Sequence, residues 1–313
     1  MYNLKNNNSS YLENFKDQIK KIEIKQNYGL TLVNKLIILS SIFFVPLVYS
    51  LILFFIRIFS LVDSNTYSVL DGINMYLFLL AIPIIGMVYG LIKIYRKMIQ
   101  DKILGIFITS VGPIGIAFSI FLNFVIADSN IKFLINTLIY GLIISFFYLY
   151  KNKSFFEMFK KSYKHYLITL CAILFGCIFY YLFNYIFNII QDLVNGKSEI
   201  SNNQSGLNSY LNNPIGIASL FFSSVIFAPL LEEFSYRLVF MNISNNRWYS
   251  YLLSVFYFAF LHVQQSTDFE HIFTYFSLGI VNGFVFWYLK NLTPCIAIHS
   301  ITNLIAFVIL VTQ

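Results

Sequence analysis

Glu232, Glu233, Arg237, His262, His299 and Asn303 stand in or beside strongly apolar segments in the last third of the chain. A charge or an imidazole in hydrocarbon costs at least about 2.5 kcal/mol on insertion scales, so such residues usually face a polar site and mark function. Their spacings are helical. Glu233 precedes Arg237 by four positions, with the acid first, the favourable order for an ion pair along a helix. Glu232, turned about 100° around the same helix, is then left unpaired, and a carboxylate in a low-dielectric cleft can act as a base toward water. Phe258 and His262 share one helical face, as do His299 and Asn303. An asparagine amide donates and accepts, so His299 and Asn303 together could bind an oxyanion. The competing readings are that both glutamates lie in interfacial water and that His262 is a satisfied structural histidine.

The elements that must hold these groups follow from composition. The 313 residues are 58% hydrophobic and 19% aromatic and only 11% charged, with a mean hydropathy of +0.70. Soluble domains carry about 25% charged residues. The apolar stretches are continuous and about 20 residues long rather than alternating, which excludes a β-barrel and predicts an all-α, polytopic transmembrane bundle. Nine spans are expected, at roughly 36–56, 74–92, 103–127, 133–150, 166–190, 215–236, 249–265, 271–289 and 294–312. The span at 249–265 is short and ends in Gln264 and Gln265. Four regions follow: a cytoplasmic segment 1–35, N-terminal spans over 36–190, an outer loop at 191–213 rich in Asn, Ser and Gly, and a C-terminal core, 214–313.

The net charge of +7 does not point to nucleic acid, because the basic residues lie between apolar runs and form no single patch. They read as topology determinants. With the N-terminus in the cytoplasm and the C-terminus outside, 18 of the 21 lysines and arginines fall on the inner side, leaving only Arg57, Lys132 and Lys197 elsewhere. Residues 10–24 and 151–164 both read as interfacial amphipathic helices on anionic lipid, with an ordinary positive-inside loop as the alternative for the second. At about 1.5 Å of rise per residue, Glu232, His262, His299 and Asn303 fall at overlapping depths, so one water-filled cleft opening to the cytoplasm could hold all four. Cys171, Cys177 and Cys295 sit inside apolar runs, with no Cys-His metal spacing. His165 reads as interfacial and His271 has no assigned role. Thr293-Pro294 reads as a helix cap followed by proline at the first helical position. Gly279 and Gly283 predict a close helix contact. Richness in Asn, Lys, Ile, Phe and Tyr points to an AT-rich bacterial genome, and so to a bacterial plasma membrane.

Three motifs in order, Ala228-Pro229-Leu230-Leu231-Glu232-Glu233-Phe234-Ser235-Tyr236-Arg237, Phe258-Ala259-Phe260-Leu261-His262 and His299-Ser300-Ile301-Thr302-Asn303, resemble those of the CAAX protease and bacteriocin-processing (CPBP, or Abi) family of intramembrane proteases. The resemblance covers about 214–312. It implies an endopeptidase in which Glu232 activates water, His262 helps hold it, His299 and Asn303 stabilise the oxyanion, and Glu233 and Arg237 support the site. Family members often carry Gly where this chain has Leu238. The family is often described as metalloproteases, and Glu232, His262 and His299 would then hold zinc with an open position for water. A metal-free glutamate and histidine mechanism is also proposed for it, the spacing does not choose between them, and no cofactor is required by the sequence. The implied partners are a peptide or membrane-protein substrate and the lipid bilayer, in bacteriocin processing, self-immunity or control of a membrane regulator. The rival reading is a non-catalytic immunity or scaffold protein that keeps the fold. A transporter would need paired broken helices, and no repeat supports one.

Overall fold

Backbone N–H and C=O groups find no partner in hydrocarbon, so each apolar run must close its own hydrogen bonds. The computed structural model describes residues 31–40, 44–59, 61–73, 128–149, 153–195, 206–241, 247–263 and 271–312, with single positions at 17, 89, 121, 122, 125 and 126, and every regular element among them is helical. In chain order these are α1 (Leu32–Leu39), α2 (Val45–Ile58), α3 (Ser64–Ile73), α4 (Ser129–Leu149), α5 (Lys153–Lys164) and α6 (Tyr166–Asn195), then a 3-10 turn at Ser209–Asn212. Next comes α7, over 214–240, then α8 (Trp248–His262), α9 (Ile272–Leu289) and α10 (Leu292–Thr312). Among the described residues, four runs are long and apolar enough to cross a membrane: Tyr166–Leu193, Pro214–Leu238, Ile272–Leu289 and Leu292–Thr312.

These four match the spans expected at 166–190, 215–236, 271–289 and 294–312. The expected spans 74–92 and 103–127 lie almost wholly outside the described residues, as does the amphipathic stretch 10–24. At 15 residues, α8 is about 22 Å long and falls short of the ~30 Å hydrocarbon core. The segment 191–213 is not all loop: α6 continues to Asn195, and helical turns occupy 206–212. The cap of α10 also differs from the sequence expectation. Asn291, not Thr293, accepts the Thr293 N–H through its Oδ1 at 2.9 Å, and Pro294 falls at the third helical position. A proline is tolerated there because first-turn N–H groups have no intrahelical acceptor.

The helix α7 is not uniform. Its α-helical stretches Pro214–Leu220 and Ala228–Glu233 alternate with π-helical stretches Phe221–Phe227 and Phe234–Phe240. Pro229 offers no N–H to the ladder, and the chain widens just before it, so that Ala228 N–H bonds back to Ser223 O. Wider turns re-aim side chains, and here they flank the two glutamates on both sides. The start of α7 is capped by Asn213, whose side chain accepts the Gly216 N–H at 2.8 Å.

The core lies among α7, α8, α9 and α10, with Phe258, Phe286, Leu238, Cys295 and Ile298 all nearly inaccessible, and α5 adds Met158 to it. The helix α6 lies along α9 and α10 and keeps most of its surface outward, as a lipid-facing helix would. Its far end is fastened by Gln191 Nε2, 3.1 Å from His271 Nδ1. The close contact expected of Gly279 and Gly283 is present, against α8. A methyl group on Gly279 would meet Val255 at 3.3 Å, and one on Gly283 would meet the Tyr251 ring at 2.9 Å. Gly283→Leu is therefore expected to cost about 1–3 kcal/mol of stability, seen as an earlier unfolding midpoint when SDS is titrated into mixed micelles. Gly72→Ala, where nothing lies within 4 Å, should leave that midpoint unchanged or raised.

Candidate active site

The adjacent glutamates of α7 lead opposite lives. Glu233 is fully buried and saturated. Its Oε2 accepts from Arg237 Nε at 3.0 Å, and its Oε1 accepts from Asn282 Nδ2 at 2.9 Å and from His299 Nδ1 at 2.9 Å. One carboxylate thus ties α7 to α9 and α10. Arg237, equally buried, donates from Nη1 to Ser254 Oγ at 2.6 Å on α8, and its guanidinium lies 5.1 Å from the Phe258 ring centroid. The Ser254 hydroxyl in turn donates a hydrogen bond to the Tyr236 carbonyl at 2.9 Å. A buried ion pair survives only when such extra hydrogen bonds offset its desolvation. The i, i+4 order expected from the sequence therefore does form, inside a four-helix knot.

Glu232 faces elsewhere. Its Oε2 is buried with no hydrogen-bond partner and stands 3.6 Å from His262 Nε2. The two side chains are 23% and 22% exposed, so this pair is reachable where the Glu233 network is not. The His262 Nδ1 lies 2.8 Å from the Phe258 carbonyl. A carbonyl only accepts, so Nδ1 carries a proton toward Phe258, and Nε2 is the ring nitrogen turned toward Glu232. The imidazole is held between the Phe258 ring, 4.5 Å away, and the Tyr275 ring, 4.7 Å away and nearly parallel. His262 is the last residue of α8.

His299 and Asn303 share a face of α10 but not a partner. His299 is bound through Nδ1 to Glu233, an acceptor, which fixes the proton on Nδ1 and turns Nε2 away from that network. Phe258 stands edge-on to its ring at 6.0 Å. The Asn303 Nδ2 donates to the Ser224 carbonyl in the first π-helical stretch at 2.8 Å, which leaves its second N–H for another acceptor. The three side chains named as a zinc set, Glu232, His262 and His299, are not gathered into one: no group of three His, Cys, Asp or Glu fit to hold a metal ion occurs among the described residues.

Several members of the site escape a reading by motif. Asn282 was legible in principle, being an amide in the middle of an apolar run, the same signal that exposed the glutamates. Ser254 carried no such signal, because a serine in a membrane helix ordinarily satisfies itself on its own backbone. The ring pairing of Tyr275 with His262 depends on how α9 lies against α8.

Comparison with known proteins bears on this geometry. Residues 214–305 match the sequence model of the type II CAAX prenyl endopeptidase Rce1-like family. The resemblance read from the three motifs therefore holds. The chain is 28% identical over 159 residues to the membrane-embedded CAAX protease MroQ of Staphylococcus aureus, a stretch covering 49% of this chain and 62% of that protein. It is 24% identical over 101 residues to the UPF0177 protein YbdI of Lactococcus lactis, covering 32% of this chain and 54% of the relative. The chain thus spans less than two thirds of the length of either relative. No solved structure matches it. With its apolar helices, this similarity makes the chain a multi-pass integral membrane protein.

The unequal settings of the two glutamates have a measurable consequence. Glu233→Ala leaves the Arg237 charge buried without its counter-charge and is expected to cost about 3–5 kcal/mol. Glu232→Gln, at a half-buried carboxylate with no hydrogen-bond partner, should change stability by no more than about 1 kcal/mol. Thermal unfolding of the two purified variants in one detergent checks the contrast, and equal losses would contradict it.

Proposed function

We propose that this protein is an integral membrane endopeptidase that hydrolyses a peptide bond in a peptide or membrane-associated protein. The observation that carries this reading is the Glu232–His262 pair: a buried carboxylate oxygen without a hydrogen-bond partner and a ring nitrogen, 3.6 Å apart, on side chains that are both partly exposed. The carboxylate accepts, and so does Nε2 when the ring is neutral, so a water molecule donating to one or both would be oriented and polarised by them. Glu232 takes a proton as the water oxygen attacks the carbonyl carbon, and it then returns that proton to the departing amine. With its Nδ1–H held by Glu233, a doubly protonated His299 offers an Nε2–H that, with the second Asn303 N–H, supplies the donors for the developing oxyanion once a substrate carbonyl lies between α7 and α10. Glu233 here plays the orienting part that a buried carboxylate plays for a catalytic histidine. These steps are carried by the side chains of the protein alone; zinc, were it bound, would be held by Glu232, His262 and His299 and would polarise the same water.

The similarity over 214–305 to the Rce1-like family supports the same reaction class. The proposed setting is a bacterial plasma membrane, with peptide processing, self-immunity or control of a membrane regulator as the cellular use. The bundle is proposed to lie with its N-terminus in the cytoplasm, as the distribution of basic residues requires.

The test is cleavage of a broad reporter-peptide set by purified protein in liposomes. Glu232→Gln is expected to lower the rate at least 10²-fold, roughly the worth of a general base. His299→Ala and Asn303→Ala should each lose on the order of 10²–10³. Cleavage by Glu232→Gln at the wild-type rate would overturn the assignment and favour a non-catalytic scaffold.

A further inference from the structure

The helix α6 carries polar side chains where a lipid-facing helix would be expected to carry none. Tyr180, Asn184 and Asn188 follow one another at steps of four along the run Tyr166–Leu193, most of whose surface is turned outward. An amide in hydrocarbon is costly unless it is bonded, and these three groups bond one another. Asn188 Nδ2 donates to Asn184 Oδ1 at 2.8 Å, and Asn184 Nδ2 donates to the Tyr180 hydroxyl at 3.2 Å. Those bonds take half or less of what each amide can make. Among the described residues, each asparagine keeps one N–H and at least one carbonyl lone pair for a further partner, Asn184 half-buried and Asn188 exposed. The ladder also stands beside the site. Gln191 meets His271, the Phe187 ring lies 6.0 Å from that of Phe273, and a methyl group on Gly176 would meet Val281 at 3.5 Å. The helices α6 and α9 therefore run antiparallel, with Asn184 near the level of Tyr275. Tyr180 and Tyr275 pack against the same core. The Tyr275 ring stacks on His262, whose Nε2 is 3.6 Å from Glu232.

We infer that the Asn184–Asn188 ladder is a docking strip for a stretch of substrate peptide in extended conformation, held beside Tyr275 on its way to Glu232 and His262. This rests on the reading that the protein is an endopeptidase. A helix keeps its peptide carbonyls in its own hydrogen bonds, so a bond must leave helical form before water can attack it. Once unwound within a bilayer, the N–H and C=O groups of that stretch find no partner in hydrocarbon. An amide with one N–H and one lone pair to spare is the complement of one peptide unit. The steps agree as well. Four residues of helix rise about 6 Å, and same-facing units of an extended chain repeat every 6.4–6.8 Å or so. Asn184 and Asn188 can thus meet alternate units of one peptide. A docked transmembrane helix has its backbone already satisfied and offers the ladder no such row of groups.

The test measures peptide binding by the full chain in phosphatidylcholine nanodiscs, with Glu232→Gln to suppress cleavage. Tyr185, exposed beside the ladder, becomes the reporter through Tyr185→Trp, and Trp248→Phe and Trp287→Phe remove the two native tryptophans. The probes are two leucine–alanine peptides of about 20 residues, one a continuous helix and one broken by a central Gly-Pro-Gly, each with a dansyl group at its middle that receives energy from the reporter. The broken peptide is expected to bind at least about five-fold more tightly, the worth of one or two net hydrogen bonds. Asn184→Leu/Asn188→Leu should abolish that preference while leaving the SDS unfolding midpoint unchanged or raised. Asn188→Leu alone, at the exposed end of the ladder, should cut it about two-fold. Equal binding of the two peptides by the parent, or none, overturns the inference, as does a preference that survives the double variant. A double variant that turns a dimer into a monomer at sedimentation equilibrium, with the peptide preference intact, would assign the ladder to contact between two copies of the chain instead. Binding is read without cleavage, so failure of the endopeptidase reading shows separately, as no hydrolysis by the protein that retains Glu232.

Discussion

The buried Arg237–Glu233 ion pair is the constraint from which the rest of the C-terminal bundle follows. Neither charge is tolerable alone in a low-dielectric interior, where removing one partner of such a pair costs several kcal/mol. Each must therefore be met by every donor or acceptor that neighbouring helices can offer. Asn282 from α9, His299 from α10 and Ser254 from α8 do so at 2.6–2.9 Å. Three helices are thereby held at fixed rotation against α7. Apolar packing between α8 and α9, with glycines at the contact, allows the backbones to come near enough for these side chains to reach.

That knot makes the neighbouring pair useful. With Glu233 saturated, Glu232 one residue away is turned out of the network and toward His262. Its orphan oxygen is a local deficit in hydrogen bonding, a feature that native interiors rarely keep without a purpose. Phe258 is the common wall: it underlies Arg237, stands edge-on to His299, and gives His262 both a ring face and the carbonyl that sets its tautomer. The structural role and the proposed catalytic one thus fall to two adjacent residues of the same type, separated only by about 100° of helix rotation.

The motif spacings already carried much of this. Glu233 and Arg237 at i, i+4 forecast their own pairing, and the lone imidazoles in apolar runs forecast a polar interior. The glycines of α9 forecast their close contact. The expectations that fared less well relied on local signals that tertiary context overrides. Thr293 has the right type for a cap, yet Asn291 takes the role because its amide oxygen serves both the Thr293 N–H and the Ser162 hydroxyl. The polar stretch after 190 reads as loop by composition, yet α6 continues into it as far as Asn195, with Gln191 anchored on His271. His299 and Asn303 share a helical face, but a shared face does not ensure a shared ligand, and Asn303 spends one N–H on Ser224.

By itself the sequence determined that the chain is helical and lipid-embedded, because continuous apolar runs leave no other way to satisfy the backbone. It also determined which ionisable groups must have partners, because burial of a lone charge is prohibitive wherever the helix ends up. Only the tertiary structure decided which partners those would be. The rotation of α7 depends on where its π-helical turns widen, and each widened turn shifts the face that follows it. Whether Glu232 or Glu233 meets the histidine of α10 is set by that shift and by the approach of α9, which brings in an asparagine from 49 residues away. No periodicity within one helix encodes the distance between two.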